Sequence, residues 1–329
     1  MRYSVIIPVY NRPEEVDELL NSLVHQTYKD FEVIVVEDGS STPCKTITES
    51  YQSQLTLSYF FKPNSGPGTT RNYGAQFSKG EYLIILDSDC ILPPTYFSAI
   101  ETELQQHPTD AFGGPDRAHA SFTTTQKAIN YAMTSFFTTG GIRGGKKKMD
   151  RFFPRSFNMG IKRIVYNTLG GFSTMRFGED VDFSLRILEA NYSTQLFPSA
   201  WVYHKRRSNF RQFFKQVYNS GIARIHLYKR HPQSLKLVHL LPSLFTIGVL
   251  LLLGLSFYSL YMLLPLLLFL LIIATDAFFK NKNLAVGVLS IVASFVQLLG
   301  YGSGFIYAWW KRIILKKNEF NTFTKNFYS

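Results

Sequence analysis

Two carboxylates one residue apart, Asp87 and Asp89, end the apolar run in EYLIILDSDCILPP, residues 81–94. In an extended segment, side chains two residues apart point to the same side, so both acids would converge on one small volume. Like charges held that close raise each other's pKa unless a cation is bound between them. The pattern therefore predicts either a cation site at the exit of a buried strand or an acidic turn that faces water.

Two other strand-like runs also end in polar clusters. The run YSVIIPV contains Pro8 near its end and leads into Tyr10 and Asn11, and the run FEVIVVED ends in Asp38 and leads into a glycine and a serine. In sheets of parallel strands, ligands bind outside the carboxyl ends of the strands. We therefore expect these clusters and the pair at residues 87–89 to line one site.

Strand and helix patterns alternate through about residue 205. Pro13 opens a helical pattern, residues 69–80 predict a short helix that ends at Gly80, and strand patterns surround both. Such alternation predicts an α/β fold with a mainly parallel, doubly wound, Rossmann-like sheet. The turn PVYNRPEE has no glycine, and NSGPGTTRN lacks phosphate-loop spacing, which argues against dinucleotide-binding and P-loop folds.

An almost continuous apolar run occupies residues 240–279, and a second covers 284–310. One membrane span needs about 20 apolar residues, so the first run predicts two helices joined near residues 256–259. Three spans with the N-terminus inside would put the basic tail KRIILKK outside, against the positive-inside tendency. The alternatives are a re-entrant segment at GYGSG, residues 300–304, a segment lying in the interface, or an exception to the rule.

The charge and the cysteines indicate the compartment and the partners. The net charge is +12, and its basic clusters lie among aromatic residues next to the apolar runs. They fit an anionic membrane face or a phosphate-bearing substrate, and no nucleic-acid motif accompanies them. The N-terminal run is too short for a secretory signal, and two cysteines without metal spacing suit a reducing compartment. We expect a multi-pass protein of the cell inner membrane with a cytoplasmic catalytic domain.

The ordered motifs SVIIPVYNR, FEVIVVEDGS, NSGPGTTRNYGA, GEYLIILDSD, GGFSTMRFGEDVDF and PSAWVYH span roughly residues 3–205. Together they resemble glycosyltransferase family 2, whose catalytic domain has the GT-A fold. The resemblance implies inverting transfer of a sugar from a nucleotide-sugar donor, assisted by Mg²⁺ or Mn²⁺. The resemblance makes residues 1–205 the catalytic domain, and the composition of the rest predicts 206–236 amphipathic, 237–310 two to three membrane helices and 311–329 basic tail.

By this resemblance the acids after the fourth strand serve the cation. Asp89 is the expected metal ligand, and Asp87 is expected at the ribose or a metal-bound water. His204, in WVYHKRR, is a further metal or diphosphate contact or a structural histidine.

The resemblance also assigns the nucleoside pocket. Asp38 resembles the aspartate that accepts a hydrogen bond from the base, although Glu37 stands where the family usually has another aspartate. Pro8, Tyr10 and Asn11 would line the pocket. Arg71 would hold the base or the phosphates, or form only a surface salt bridge.

The stretch GEDVDF, residues 178–183, resembles the family's base motif. Inverting transfer needs one carboxylate to take the proton of the attacking acceptor hydroxyl. Asp180 matches the catalytic aspartate, Glu179 would orient the acceptor, and Asp182 is the rival base. The alternative is an ordinary helix start enriched in acids.

The remaining segments bear on the acceptor. Processive synthases of the family carry a QxxRW motif before their membrane helices, and residues 205–232 contain none, which favours transfer of a single sugar. Residues 210–230 predict either an interfacial helix or helix pair, or a packed domain helix. Residues 138–160 resemble the acceptor loop of the family, or form a solvated basic loop.

The predicted acceptor is a lipid-linked or glycan acceptor in cell-surface polysaccharide synthesis. A polyprenyl-phosphate glycosyltransferase and a non-catalytic membrane scaffold with a nucleotide-binding fold remain the alternatives.

Overall fold

The computed structural model describes residues 1–117, 119, 121–140 and 152–322. The strands are β1 Tyr3–Val9, β2 Phe31–Asp38, β3 Leu57–Lys62, β4 Tyr82–Leu86, β5 Cys90–Ile91, β6 Ala111–Gly113, β7 Asp116–Arg117, β8 Asn158–Lys162, β9 Thr194–Leu196 and β10 Val202–His204. The helices are α1 Pro13–Val24, α2 Lys45–Ser50, α3 Pro67–Ala75, α4 Tyr96–Gln106, α5 Thr124–Thr134, α6 Phe136–Thr139, α7 Arg163–Thr168, α8 Glu179–Glu189, α9 Phe210–Arg230, α10 Leu241–Ser256, α11 Leu264–Asn281 and α12 Leu284–Trp309.

The chain divides into two compact units. The first comprises Met1–His119 and Lys147–Lys205, and the second comprises Ala120–Lys146 and Arg206–Ser329. The first unit ends at residue 205, where the predicted catalytic domain also ends, and the role of that domain stays a prediction. Residues 120–146 differ from that plan because α5 buries its apolar side in a cluster with α9 and α12 of the second unit.

The first unit is built on a seven-stranded sheet with the order β3-β2-β1-β4-β8-β6-β9. Strands β1 to β4 pair in parallel, as do β6 and β9, whereas β8 runs antiparallel to both of its neighbours. Strands β5, β10 and β7 form a small second sheet. The carboxyl ends of β1, β2 and β4 therefore lie at one edge, and the polar residues after each strand collect there.

Apolar residues bury both faces of the central strands. In β1, β2 and β4 nearly every residue is buried, as expected for parallel strands covered by helices on both sides. Helix α1 begins with Pro13 in its first turn and buries Val16, Leu19 and Leu23, which confirms the predicted helical spacing.

Helix α3 ends earlier than predicted. It finishes at Ala75, and Gly80 does not terminate it. A Cβ atom at Gly80 would clash with the backbone of Tyr3 and Ser4, so this glycine permits close approach to β1.

The second unit holds the apolar helices. Three segments are long and apolar enough to cross a membrane, namely Leu237–Ser256, Leu260–Asn281 and Leu284–Ile314. The break between Ser256 and Leu264 confirms the predicted turn. Over an apolar stretch of 18 residues in each segment, the buried share is 39% in the third and 17% and 11% in the first two. Helix α12 is therefore the helix around which the unit packs.

Two expectations for this unit are settled by the contacts of α12. The helix continues without interruption through residues 300–304, so no re-entrant loop forms there. The glycines instead face other helices, because a Cβ at Gly304 would clash with the Tyr218 carbonyl of α9 and one at Gly302 with the Pro242 carbonyl of α10. Helix α9 is a single helix rather than a helix pair, and it buries Phe213, Val217 and Ile225.

Two predicted segments fall partly outside the described residues. Of the predicted acceptor loop, 138–160, residues 141–151 lie outside them, as do residues 323–329 of the predicted basic tail.

Candidate active site

The two acids after β4 form ion pairs with different arginines. Ser88 and Asp89 form a turn closed by the Cys90 N–H, which donates to the Asp87 carbonyl at 3.1 Å. Asp87 then pairs with Arg71, whose Nη2 lies 2.7 Å from its Oδ1. Asp89 pairs with Arg12, whose Nη1 lies 2.6 Å from its Oδ2. The extended geometry assumed from the sequence is wrong at this point because the turn replaces it.

Asp89 also faces His204. The imidazole Nε2 lies 3.2 Å from Asp89 Oδ1. Strand β10 brings the histidine there by pairing antiparallel with β5, which sets His204 opposite Cys90. Asp89, Cys90 and His204 offer ligand atoms that all lie within 4.8 Å of one another. In the sequence His204 lies more than one hundred positions after Asp89 and Cys90, and the small sheet brings it to them.

Two of the three residues in this group have side chains suited to a divalent cation. Asp89 supplies a carboxylate, and the imidazole of His204 stacks on Phe157 with ring centroids 4.9 Å apart. The His204 Nδ1 is buried and has no hydrogen-bond partner among the described residues. Cys90 fits poorly as a ligand because burial raises the pKa of its thiol and its Sγ donates to the Phe157 carbonyl at 3.3 Å. Asp89 and His204 therefore remain as the two members of this group that could ligate a divalent cation.

Arg71 bridges the two acidic regions of the site. Its Nη2 reaches Asp87 at 2.7 Å and its Nη1 reaches Glu179 at 2.8 Å. The side chain is only 4% exposed, and its guanidinium lies 5.2 Å from the ring centroid of Phe172. The alternative of a surface salt bridge is therefore wrong, because this arginine is buried and links the end of β4 to the start of α8.

Helix α8 begins with the predicted acids. Gly178 precedes it with φ 80°, a left-handed conformation that glycine adopts readily. Burial raises the pKa of Glu179 to about 7, and the neighbouring Asp180 adds to this rise against the opposing effect of Arg71. Burial would also raise the pKa of Asp180, but the Arg155 guanidinium, 2.5 Å from its Oδ2, outweighs burial and lowers it. Two adjacent carboxyls thus have pKa values shifted in opposite directions.

Asp182 lies in a network that holds the chain before α8. Its Oδ2 is 3.1 Å from Arg186 Nε, one helical turn later. The Arg186 guanidinium also donates to the carbonyls of Leu169 and Gly171, at 2.8 Å and 2.5 Å. At 2% exposure Asp182 is the most buried of the three acids, and these contacts tie it to the loop before the helix.

The carboxylate of Asp38 holds the loop that leads into α3. The backbone N–H groups of Ser65 and Gly66 donate to its oxygens at 2.8 Å and 2.9 Å, and Lys62 pairs with it. Glu37, the residue that departs from the family pattern, is fully buried and accepts hydrogen bonds from Ser40 and Cys44. Both acids are thus held by neighbouring loops.

The turn after β1 is fastened to the turn after β2. Asn11 has φ 52°, and its side-chain oxygen accepts from the backbone of Ser41 and Thr42 at 2.8 Å and 3.1 Å. Pro8 and Tyr10, in the same segment, are half-buried. The polar residues after β1 and β2 are therefore brought together, as the strand ends predict.

Sequence reasoning missed two arginines. Arg12, directly after Asn11, pairs with Asp89, and Arg155 pairs with Asp180. Arg155 lies in a segment whose mixture of glycines and cations suggested only a basic loop. Arg12 could have been predicted, because it follows β1 and polar residues after the strands were expected to line the site. Arg155 could not, because it reaches the site only by pairing with Asp180, which is distant in the sequence.

Comparison with known proteins identifies the family. The model for glycosyl transferase family 2 matches residues 4–170, which is 167 of the 329 residues. The chain belongs to this family. The predicted glycosyltransferase resemblance is confirmed, and the match covers β1, β2, β4 and the acids after them.

Relatives of this family 2 glycosyltransferase are similar over part of their length. An uncharacterized glycosyltransferase of Haemophilus influenzae is 31% identical over 193 residues, which is 56% of this chain and 62% of the relative. One of Rickettsia felis is 32% identical over 137 residues, 42% of this chain and 22% of the relative. The poly(ribitol-phosphate) β-N-acetylglucosaminyltransferase TarS of Staphylococcus aureus is 34% identical over 114 residues, 33% of this chain and 20% of TarS. The chain thus matches less than two thirds of each of these relatives.

Solved structures share the fold. The mannosyltransferase of Pyrobaculum calidifontis, in complex with GDP-Man and Mn²⁺, has a TM-score of 0.62 at 17% identity, covering 91% of this chain and 87% of that one. Residues 1–349 of Staphylococcus aureus TarS, in complex with UDP-GlcNAc, have a TM-score of 0.50 at 17% identity, covering 97% and 93%. At these identities the likeness shows the fold alone, and it confirms the predicted GT-A architecture.

Proposed function

We propose that this glycosyltransferase transfers a single sugar, with inversion, from a nucleotide-sugar donor to a lipid-linked or glycan acceptor. The observation that carries the proposal is the Arg71 bridge, which joins Asp87 after β4 to Glu179 at the start of α8. It couples the acids assigned to the donor with the acids assigned to the acceptor. A protein that only bound a nucleotide would have no need for a second, connected group of acids.

The donor nucleoside is assigned to the edge formed by the turns after β1 and β2. Asn11 fixes one turn against the other, and Pro8 and Tyr10 are half-buried beside it. Asp38 presents a fixed carboxylate edge to the base. A UDP-sugar is the favoured donor because TarS, a relative in sequence, forms a complex with UDP-GlcNAc.

The cation is assigned to Asp89 and His204, with Asp87 contacting the ribose or a metal-bound water. When bound, Mg²⁺ or Mn²⁺ supplies positive charge that stabilises the departing nucleoside diphosphate. Support comes from the ligand atoms of Asp89 and His204, which lie within 4.8 Å of each other. The Mn²⁺ complex of the structurally similar mannosyltransferase agrees with this choice of metals.

The catalytic base is assigned to Asp180. A base must be ionised before the acceptor binds, and the low pKa that Arg155 gives to Asp180 keeps this carboxylate ionised at neutral pH. Glu179, with its pKa raised to about 7, is better suited to exchange a hydrogen bond with an acceptor hydroxyl. Asp182 is the weaker candidate because Arg186 ties it to the preceding loop.

The site of action is assigned to the cytoplasmic face of the inner membrane, in cell-surface polysaccharide synthesis. The three long apolar helices support membrane association. Basic residues on either side of them suit anionic lipids and a phosphate-bearing acceptor.

The test is donor turnover by the detergent-purified protein. UDP-, GDP- and dTDP-sugars are offered with Mn²⁺ or Mg²⁺ and membrane lipid extract, and nucleotide release is measured for the wild type, Asp180→Asn and Asp89→Ala. Asp30→Asn serves as a matched control because this aspartate is exposed. We expect one donor to turn over only with metal and only in the wild type and the control. Mn²⁺ binding, followed by electron paramagnetic resonance, should be lost in Asp89→Ala alone. Absence of turnover with every donor would contradict the proposal.

A further inference from the structure

Helices α10 and α11 form a hairpin whose closed end is covered by no other part of the described chain. Among described residues, none from 250 to 268 is buried, although nearly all of them are apolar. Phe257 and Tyr258, at the tip, are 95% and 93% exposed. Only the open end contains buried residues, such as Val249 in α10 and Ile273 in α11. An apolar surface of this size needs a cover other than water.

Helix α12 crosses the open end of this hairpin. Near its start, Gly287 lies against Ala274 and Phe278 of α11. Fifteen residues later, Gly302 lies against Pro242 and Thr246, in the first turns of α10. Those fifteen residues span about 22 Å of helix. A third span antiparallel to α11 would by then have reached the closed end, so α12 does not follow the hairpin toward its tip.

A strongly basic helix covers the other side of α12. Gly221 of α9 packs on the carbonyl of Tyr301, and Gly304 of α12 packs on the carbonyl of Tyr218. Helix α9 carries five cationic side chains, Arg211, Lys215, Arg224, Lys229 and Arg230. A helix with that many charges does not enter hydrocarbon. The long contact with α9 therefore keeps α12 at the membrane surface.

The segment after α12 returns to α9. Glu319 forms two hydrogen bonds with Arg230, both at 2.8 Å. The Phe320 carbonyl lies 2.9 Å from His226 Nε2, and Thr322 donates to Asn219 at 2.8 Å. Helix α9 precedes the first apolar helix, and residues 319–322 follow the last. Because these two segments touch, they lie on the same side of the membrane, which is incompatible with three crossings.

We propose that the α10–α11 hairpin enters the bilayer from one face and turns within it, while α12 lies across the hairpin's open end at the interface. From Val249, the last buried residue of α10, to Ser256 the helix rises about 10 Å. That length is well below the hydrocarbon thickness of about 30 Å. The partner surface is a single leaflet with anionic headgroups. Lys280 lies in the last turn of α11 and Lys282 follows it, and Lys311, Arg312, Lys316 and Lys317 follow α12.

The arrangement explains the charge conflict seen in the sequence. Three spans would place the basic tail opposite the catalytic side, whereas the hairpin leaves α9 and the tail on one face. The proposal concerns only the membrane topology and does not depend on the assigned catalytic roles.

The test is labelling of single cysteines by a membrane-impermeant maleimide, in the full-length protein, using spheroplasts and inverted vesicles from an expressing bacterium. The three positions are Gln233→Cys between α9 and α10, Ser259→Cys at the hairpin tip, and Asn321→Cys in the tail. Cys44 and Cys90 are 1% and 0% exposed, so the unaltered chain gives the background. Asn318→Cys is a second tail position in case Asn321→Cys disturbs the contact with α9.

We expect the cysteines at 233 and 321 to react from the same side. The cysteine at 259 should react from neither side and should become reactive when detergent is added. Reaction of the tail cysteines only from the side opposite to 233 would show that α12 crosses and would overturn the proposal. Reaction of the tip from the far side would show two complete crossings and would overturn it equally. Neither result depends on sugar transfer.

Discussion

The two units of the chain organise their interiors by opposite means. In the first, every acidic side chain assigned to the site is paired with a cation. The pairs are Asp38 with Lys62, Asp87 and Glu179 with Arg71, Asp89 with Arg12, Asp180 with Arg155, and Asp182 with Arg186. In the second, helices meet through glycines at 221, 302 and 304. Charge pairing holds the acidic site residues of the first unit, and close backbone contact joins the helices of the second.

This difference has a consequence for mutations. Changing a paired carboxylate alters the chemistry of a position whose shape is supported by many other contacts. Changing a glycine at a helix crossing alters shape and leaves the charge unchanged. We therefore expect activity and stability to respond separately, and the following variants test that separation.

The largest effect is expected for Asp180→Asn. Removing the proposed general base should lower kcat by about 10²–10⁴-fold. The amide retains the shape of the side chain, so the protein should still fold and bind the donor. The measurement is kcat and donor Kd at neutral pH, with the Tm recorded for both proteins.

Asp182→Asn is the matched variant two residues further along the same helix. It loses the ion pair with Arg186, so its Tm should fall while kcat per folded molecule changes little. If Asp182→Asn lost kcat and Asp180→Asn retained it, the base would be Asp182.

The next effect concerns the buried bridge. Arg71→Met leaves Asp87 and Glu179 without their shared cation, and removing one partner of a buried pair costs about 3–5 kcal/mol of unfolding free energy. Lys45→Met is the control, because Lys45 is 66% exposed and 3.8 Å from Glu49. Exposed pairs contribute at most about 1 kcal/mol. Chemical denaturation followed by tryptophan fluorescence measures both, and equal losses would contradict the buried bridge.

In the second unit the test is a change of shape. Gly304→Leu inserts a side chain where even a Cβ would clash with the Tyr218 carbonyl. Overpacking of this kind costs about 1–3 kcal/mol, so we expect a lower thermal stability in detergent with donor turnover by the folded fraction maintained. Gly254→Leu is the matched control, since a Cβ there would meet nothing within 4 Å. An equal loss of stability in both variants would show that the effect does not come from the close helix contact at Gly304.

The sequence predicted different parts of each unit. Alternating patterns predicted the strands and their shared edge because the apolar periodicity of β1, β2 and β4 is local. The carboxylates were found because each follows a strand or begins a helix. Their arginine partners were only partly found, since Arg155 and Asp180 meet through folding of segments that no local pattern connects.

The apolar helices show the same limit. Length and composition predicted α10, α11 and α12 and the turn between the first two. They did not predict that Gly302 and Gly304 face neighbouring helices, because a small residue in an apolar run is equally compatible with a break in the helix. Likewise, the prediction of extended geometry at residues 87–89 was wrong, because an apolar run followed by acids does not show where a two-residue turn begins.

The smallest expected effect compares the two adjacent acids at the start of α8. The pKa of Glu179 is raised from 4.5 to about 7 in the folded protein. Between these values the folded state holds a proton that the unfolded state releases, so this group's contribution to stability is present below pH 4.5 and is lost as the pH rises to 7. Glu179→Gln keeps the neutral form at every pH. The Tm of the variant relative to wild type should therefore rise between pH 5 and pH 7, measured by differential scanning fluorimetry. Glu14→Gln, at an exposed position, is measured alongside as the control for the same change of residue type. Parallel curves of Tm against pH for Glu179→Gln and wild type would contradict the raised pKa of Glu179. Asp180→Asn removes a carboxyl of lowered pKa, so it should be less stable than wild type above pH 3.8.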